Sequence, residues 1–435
     1  MRKKILVKAP VLSQTGYGEQ ARFALRSLKT REDIFDIYIL NLEWGKSNHI
    51  VEDDPFHKWL VQNIQKTGQY LQASGEGAQF DISLQVTIPN EFEKMAPLNV
   101  GYTAGIESTK VAPQWLQKTN EFMDGLILIS NHAKNGFVNT VVTVKNDNGE
   151  EFPYRLSKPC HVVNYPIKPE EHIKLDLDFP HDFNYLVASQ WGPRKNFENT
   201  IRWFIEENFD REVGLVLKTN WIKNCNIDRA HTEHRIKTLL AAYPDRKCSV
   251  TLLHGYMSEK EMQGLFRHKK IKCFINIAHG EGFGLSIFDA AAAGVPIITI
   301  GWGGQTDFLY IPTKDKKGNI KHKGHFLKVD YDILPVQKEA VWEGVLQADS
   351  QWAFPKEGSY KMALRRMHND YHVYKGSAKK LSKWARNTFT EENQYESFVN
   401  SLMAIVGPLS AHNKGLVTNS ANETPPYTFD VVKYE

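Results

Sequence analysis

The chain has 435 residues, and its 54 basic and 50 acidic side chains give a formal net charge of +4. This length predicts two domains, since single domains usually hold roughly 100–200 residues. A composition of 41% hydrophobic and 24% charged residues excludes a disordered, collagen-like or coiled-coil chain. The charge excess is small and lies after Glu170, so charge alone does not indicate a nucleic-acid-binding protein.

In the first half of the chain, short apolar runs alternate with amphipathic segments, as they do in a doubly wound α/β fold. The amphipathic segment 17–28 places Ala21, Leu25 and Leu28 on one helical face and leaves Glu19 and Gln20 for the other. The candidate strands of this half are 4–8, 35–40, 80–84, 100–103 and 126–130.

Between 153 and 182 the periodicity is lost and prolines become frequent, which is typical of an interdomain connection. A second alternating series follows, and then two helical stretches that end near 387 and 406. The densest basic run, 314–323, is predicted to be a solvated loop, and the polar end of the chain a loosely held tail. The candidate strands of the second series are 185–189, 213–218, 250–254, 273–277 and 297–300.

No apolar stretch approaches the roughly 18 residues that a membrane-spanning helix needs, so we expect any membrane contact to be peripheral. The cysteines are widely spaced and form no CxxC pair, which argues against a disulfide framework and against a zinc site. These features favour a reducing, cytoplasmic setting. The four cysteines are Cys160, Cys225, Cys248 and Cys273.

The segment from Asn276 to Ile300 has the pattern of a strand, a glycine turn, a helix and a second strand. Gly280, Gly282 and Gly284 let a ligand approach the backbone closely, and the start of the helix offers N–H groups to an anion. We therefore predict a phosphate or diphosphate site here that needs no metal.

Two acidic residues flank this turn: Glu281 lies within it, and Asp289 lies about five residues into the helix. Such carboxylates suit the hydroxyls of a sugar on one side of a diphosphate and of a ribose on the other. The alternative is an ordinary strand–turn–helix connection with incidental acids. The coincidence of three glycines, two acids and a helix of small residues favours the ligand site.

This segment resembles the E-x7-E signature and the EGFGL turn of the retaining GT-B glycosyltransferases of family four, the group related to glycogen synthase. The family usually has Glu where this chain has Asp289. The run from Ser189 to Asn196 is similar to the family's Arg-Lys element, which grips the donor diphosphate, so the resemblance gives that role to Arg194 and Lys195. The alternative for this pair is helix capping or simple solvent exposure.

Two further segments match the family less closely. The run from Ser13 to Glu19 resembles the glycine loop near the reaction centre, and the run from His254 to Ser258 lies where relatives hold the nucleobase. Many members carry a first-domain histidine near the sugar, but the matching region here has none. Glu107, in that region, is therefore a candidate active-site residue, with a buried helix-capping role as the alternative.

The resemblance implies an α/β fold of two Rossmann-like domains facing a cleft, with C-terminal helices packing back toward the first domain. The implied bounds are 1–165 for an acceptor-side domain, 166–182 for a linker and 183–376 for a nucleotide-sugar-binding domain, followed by helices over 377–408 and a tail over 409–435. The implied catalytic residues are Glu281, Lys195, Arg194 and Glu107. The implied donor-binding residues are Gly16, Tyr17, Gly18, Tyr256, Met257, Gly282, Phe283, Gly284, Leu285, Ser286 and Asp289.

The implied reaction is transfer of a sugar from a nucleotide-diphosphate sugar to an acceptor hydroxyl, with retention of configuration, no metal and no other cofactor. A glycan or glycoconjugate is the favoured acceptor, and a hydroxymethylated base of DNA is the alternative. A nucleotide-sugar epimerase and a non-catalytic nucleotide-sugar binder are lower alternatives. Asp176 and Asp178 form a DxD motif that binds metal in another glycosyltransferase fold, but within the predicted linker we expect only solvated charge.

Overall fold

The computed structural model describes residues 2–44, 48–50, 53–145 and 148–407. The first half contains β1 (Lys3–Ala9), α1 (Gly16–Lys29), β2 (Phe35–Asn41), α2 (Pro55–Ser74), β3 (Ile82–Val86), β4 (Leu98–Thr103), α3 (Pro113–Phe122), β5 (Gly125–Leu128), α4 (Asn131–Asn139), β6 (Val142–Lys145), β7 (Glu151–Tyr154) and β8 (Cys160–Val162).

The second half begins with β9 (Asn184–Ala188), α5 (Phe197–Asn208), β10 (Gly214–Lys218), α6 (Asn226–Leu240), β11 (Ser249–Leu253), α7 (Glu259–Phe266), β12 (Ile271–Asn276), α8 (Leu285–Ala292) and β13 (Ile297–Ile300). It continues with α9 (Thr306–Leu309), β14 (Tyr310–Lys314), β15 (Ile320–Gly324), β16 (Leu327–Val329), β17 (Tyr331–Pro335), β18 (Gln351–Pro355), α10 (Glu357–Asn369), α11 (Tyr371–Thr388) and α12 (Glu391–Val406).

Each half builds one parallel sheet of six strands. The first has the order β2-β1-β3-β4-β5-β8, and the second has the order β11-β10-β9-β12-β13-β16. Both are covered by helices, so strands such as β3 and β9 are buried along their whole length, as expected for parallel sheets. Because all strands of a sheet point the same way, the loops at their carboxyl ends gather at one edge.

The last two helices connect the halves. Helix α11 packs on α8, whereas α12 packs on α1, β4 and β5 of the first half. In this contact the ring of Phe398 lies 5.6 Å from that of Phe23 and 5.1 Å from that of Tyr102. The predicted fold class, including helices that return to the first domain, is confirmed.

Three local predictions need correction or fall outside the structure. Helix α1 forms where predicted, but Gln20 is fully buried rather than solvated, because α12 covers the face that the pattern assigned to water. The basic run 314–323 lies in the antiparallel hairpin of β14 and β15 and not in an irregular loop. The predicted tail 409–435 lies outside the described residues.

One long connection within the second half reaches the first half. The stretch from Val336 to Ser350, here called the interdomain strap, joins β17 to β18. It carries Val345 and Leu346, which pack against a first-half apolar cluster around Trp115.

All four cysteines are free thiols. In the part of the chain that is described, no helix is both long and apolar enough to cross a membrane.

Candidate functional site

The glycine turn follows the carboxyl end of β12, and α8 begins directly after it at Leu285. Gly284 caps α8 with φ 89°, a left-handed conformation that glycine adopts without strain. Asp289 is the fifth residue of α8, so the predicted spacing of the two acids along the turn and helix is confirmed.

Glu281 is the centre of a buried ion-pair network. Its Oε1 accepts hydrogen bonds from Lys195 Nζ at 2.5 Å and from Asn276 Nδ2 at 2.8 Å. Its Oε2 accepts one from Arg194 at 3.1 Å, and the same guanidinium donates to the carbonyl oxygen of Gly280 at 2.6 Å. The Arg-Lys element and the turn therefore meet in one place, and helix capping by Arg194 and Lys195 is not what these side chains do.

Charge neutralisation fixes the ionisation of this network. Burial disfavours the charge on Glu281, but Lys195 and Arg194 outweigh it and hold the pKa of Glu281 at about 2. Burial and the neighbouring Arg194 lower the pKa of Lys195, although Glu281 opposes them. The site thus holds a carboxylate and two cationic groups in an enclosed place, where charges act strongly on a ligand.

Glu107 belongs to the same network from the first half of the chain. Its Oε1 lies 3.1 Å from the guanidinium of Arg194, so this residue pairs with a cation across the cleft and does not cap a helix. Burial lowers the pKa of Arg194, but Glu107 and then Glu281 more than restore it, and the net shift is upward.

The first half also covers the turn. A Cβ atom added to Gly280 would lie 2.1 Å from the carbonyl oxygen of Glu107, and Ser130 Oγ donates a hydrogen bond of 2.5 Å to the carbonyl oxygen of Gly282. Nearby, Asp307 accepts hydrogen bonds from Asn131 and Asn164. The two halves are therefore in contact directly over the turn.

Asp289 lies in a second charged cluster. Burial raises the pKa of Asp289 to about 6, with Lys168 acting against the rise and Glu259 and Glu19 adding to it. Lys168 Nζ lies 3.2 Å from a carboxylate oxygen of Glu19 and 3.6 Å from one of Glu259. A cation from the predicted linker is thus held among acids contributed by both halves.

The glycine loop of the first half reaches the cleft through Tyr17. Tyr17 Oη lies 2.7 Å from Thr103 Oγ1, and its ring meets Trp44 edge-on at 5.1 Å. There is no room for a side chain at Gly18, because an added Cβ would lie 2.0 Å from the carbonyl oxygen of Ser13. Gly16 has no such neighbour and starts α1.

Trp44 also lines an open depression of about 390 Å³ at the carboxyl end of the first sheet. Its charged residues are three acids and two lysines, one of which, Lys8, pairs with Glu93 at 2.6 Å. The lining residues are Lys8, Leu42, Glu43, Trp44, Asn90, Glu91, Phe92, Glu93 and Lys118.

The remaining predicted donor-binding residues occupy two environments. Tyr256 is 44% exposed beside β11, whereas Met257 packs against the core. Phe283 is buried, with its ring 5.0 Å from those of Tyr165 and Phe308, so only its backbone faces the turn. Leu285 and Ser286 form the first turn of α8.

Sequence reasoning missed three neighbours of the site. Asn276 could have been found, because it lies near the end of a predicted strand, five residues before Glu281. Lys168 stood in an aperiodic segment that gives no such signal. His132 meets Trp302 edge-on at 4.6 Å, burial lowers its pKa to about 4, and its Nε2 has no hydrogen-bond partner among the described residues.

No group of three His, Cys, Asp or Glu side chains is arranged as a metal site within the described ranges. Of the DxD pair, Asp178 is fully exposed and lies 3.5 Å from Lys270.

No protein-family model matches the chain, and no curated protein matches its sequence. Solved structures do match over 93% of the chain. Sucrose-phosphate synthase from Thermosynechococcus elongatus aligns over 99% of its own chain with a TM-score of 0.59 and 12% identity. The catalytic domain of starch synthase IV from Arabidopsis thaliana, bound to ADP and acarbose, aligns over 99% with a TM-score of 0.56 and 11% identity. Anabaena HepE, in complex with UDP and glucose, aligns over 100% with a TM-score of 0.52 and 13% identity. The chain therefore has the two-domain GT-B fold.

Proposed function

We propose that the protein is a retaining, metal-independent glycosyltransferase that uses a nucleotide-diphosphate sugar. The observation that carries this proposal is the buried Glu281 carboxylate, which Lys195 and Arg194 hold on the glycine turn that opens into α8. Structures with the same fold that were solved with UDP and glucose, or with ADP, support the choice of donor class.

In this proposal the donor lies between the two charged clusters. Its diphosphate binds the cationic groups of Arg194 and Lys195 and accepts hydrogen bonds from the N–H groups at the start of α8. Glu281 then accepts hydrogen bonds from hydroxyls of the transferred sugar, and Asp289 accepts them from the ribose. Tyr256 and Met257 border the nucleobase, and the glycine loop with Tyr17 faces the reacting carbon.

The proposed transfer step depends on the cationic groups around the diphosphate. The bond between the anomeric carbon and the diphosphate oxygen breaks while the acceptor oxygen bonds to the same face of that carbon. The acceptor proton passes to the departing diphosphate. Lys195, Arg194 and the helix N-terminus stabilise the charge that grows on the leaving group, so the protein contributes mainly preorganised electrostatics and no metal.

The depression beside Trp44 supports a glycan or glycoconjugate as the acceptor. An aromatic ring, an amide and carboxylates are groups that bind neutral hydroxyl-rich molecules, and three acids against two lysines do not favour a polyanion there. A hydroxymethylated base of DNA stays the alternative acceptor, since the second half of the chain carries the positive charge.

Incubation with a panel of nucleotide sugars tests the proposal, with nucleotide release and donor-induced thermal stabilisation as readouts. We expect Glu281→Gln and Lys195→Met to lower transfer by about 10²-fold or more, as loss of one preorganised charge-stabilising group does. The exposed Lys356→Met, outside both clusters, serves as a matched control and should keep full activity.

The fold of each variant is checked by circular dichroism, because breaking a buried ion pair also costs stability. Turnover retained in both folded site variants, or no uptake of any nucleotide sugar, contradicts the proposal. Conversion of the sugar without an acceptor would identify an epimerase, and binding without nucleotide release would identify a binder.

A further inference from the structure

Two segments on the second domain concentrate the positive charge of the chain. The hairpin of β14 and β15 holds five lysines and one acid, Asp315, and α11 holds four lysines, one arginine and no acid. Together they carry nine net positive charges, more than the +4 of the whole chain, so all other residues together are net negative. A single basic surface on an otherwise acidic molecule indicates an anionic partner.

The two segments form one surface, here called the cationic face. His325, just after β15, lies with its Nδ1 2.9 Å from Ser377 Oγ on α11. Burial lowers the pKa of His325, and both Lys323 of the hairpin and Lys380 of the helix lower it further. Charges from both segments therefore act on the same ring, which places them side by side.

Most lysines of this face are not neutralised. Lys321 pairs with Asp315 at 3.5 Å, but seven exposed lysines have no ion-pair partner within the described residues. The spacing of Lys375, Lys379 and Lys383 puts like charges at i and i+4 along α11, which disfavours the helix. Since α11 has this row of lysines and no acidic residue to neutralise it, the helix is suited to bind an external anion. The seven lysines are Lys314, Lys316, Lys317, Lys323, Lys379, Lys380 and Lys383.

The apolar residues of the face narrow the class of partner. Its only exposed large apolar side chains are Ile320 and Val373, at 63% and 54% exposure, one on each segment. The tyrosines of both segments and the tryptophan of α11 are half-buried. Proteins that bind single-stranded nucleic acids stack the bases on aromatic platforms, and helices that insert into a membrane surface carry aromatic or leucine side chains beside their basic residues. Neither kind of anchor is present among these residues.

We infer that the cationic face binds the phosphate backbone of a nucleic-acid duplex without sequence preference. A duplex presents regularly spaced phosphates at high charge density, and lysines alone are enough to bind it when released counterions supply the free energy. This binding does not depend on the proposed sugar transfer, because none of these lysines belongs to the Glu281 network, to the Asp289 cluster or to the depression beside Trp44.

The test measures anisotropy of a short labelled DNA duplex of mixed sequence against the full chain over a range of salt concentrations. We expect affinity to fall steeply with salt, with a log–log slope of about −0.9 for each phosphate that is neutralised. The triple variant Lys379→Glu, Lys380→Glu, Lys383→Glu should weaken binding by at least about tenfold and flatten the slope. The matched control replaces three exposed lysines elsewhere with Glu: Lys58, Lys145 and Lys356.

Equal weakening in the control and the face variant, or no binding by the unaltered protein, overturns the inference. Tighter binding of the labelled single strand than of the duplex overturns it as well, and so does binding of phosphatidylserine vesicles in the absence of duplex binding. Donor-dependent nucleotide release is measured in the same variants. If nucleotide release persists while duplex binding is lost, the cationic face is separate from the proposed active site. The two measurements therefore test the two proposals independently.

Discussion

The buried carboxyl of Asp289, which we propose to bind the donor ribose, has a cost in stability. This carboxyl lies among acids and beside Lys168, and burial raises its pKa from 3.8 to about 6. A folded-state pKa above the unfolded one means that the folded protein binds the proton more tightly. The contribution of the protonated Asp289 carboxyl to the free energy of unfolding is therefore fully present below about pH 4 and is lost as the pH rises through 6.

We predict that Asp289→Asn raises the stability of the protein at pH 7–8, by on the order of 1–2 kcal/mol, and that the gain shrinks to nothing as the pH falls to about 4. Thermal unfolding across this pH range measures it. The same variant should bind the nucleotide sugar more weakly, because an amide replaces the carboxylate acceptor. Asp182→Asn, at a side chain 94% exposed, is the control and should change neither quantity. A stability gain that does not vary with pH would contradict the assignment.

The site residues differ in how far the sequence could identify them. The turn and its two acids form a local pattern, so the position of Glu281 in the turn and of Asp289 in α8 followed from spacing and helix periodicity. Lys168 reaches the Asp289 cluster, and Glu107 reaches the Glu281 network, through tertiary folding from segments without any period. Their partners could not be read from the sequence, because an ion pair across a cleft depends on how two domains meet.

At the scale of elements, the predicted strands and helices agree with the structure where one face or both faces are buried. The errors occur where a second layer covers a polar face, as α12 does over Gln20, and where charge conceals a strand, as in β15. The interdomain strap is an irregular connection whose order comes from contacts with the other domain. No local pattern predicts such a segment.

We predict that the strap depends on Asn90, whose Nδ2 donates a hydrogen bond of 2.9 Å to the carbonyl oxygen of Gly344. Asn90→Ala should cost about 1 kcal/mol of unfolding free energy and speed tryptic cleavage after the exposed Lys338. Limited proteolysis followed by mass spectrometry measures the cleavage. Asn63→Ala removes a comparable hydrogen bond inside α2 and should leave cleavage in the strap unchanged. Equal cleavage rates in the two variants would show that the strap is held by other contacts.

For the whole molecule, the decisive property is that the two halves close over the turn that we propose to bind the donor. The contacts include the ion pair of Glu107 with Arg194, the hydrogen bond of Ser130 to Gly282, and those of Asn131 and Asn164 to Asp307. Closure leaves the Glu281 side chain only 9% exposed, and such shielding from water would strengthen the interaction of the network with the proposed diphosphate. If the protein has the proposed function, we expect turnover to require opening, and the strength of these contacts to limit how fast a donor enters and a nucleotide leaves.

Gly280 sets how closely the halves can approach. A Cβ atom at this position would lie 2.1 Å from the carbonyl oxygen of Glu107 and 3.1 Å from the ring of Trp302, so Gly280→Ala is accommodated only if the halves move apart. We predict a larger radius of gyration in small-angle X-ray scattering and a transfer rate lowered by about tenfold or more, since misplacement of about 1 Å is enough for losses of that order. Gly358→Ala, where an added Cβ has no neighbour within 4 Å, is the control and should alter neither. Cooperative thermal unfolding of Gly280→Ala confirms that each domain still folds. If this variant keeps both the scattering profile and the activity of the unaltered protein, closure over the turn is not what positions the donor.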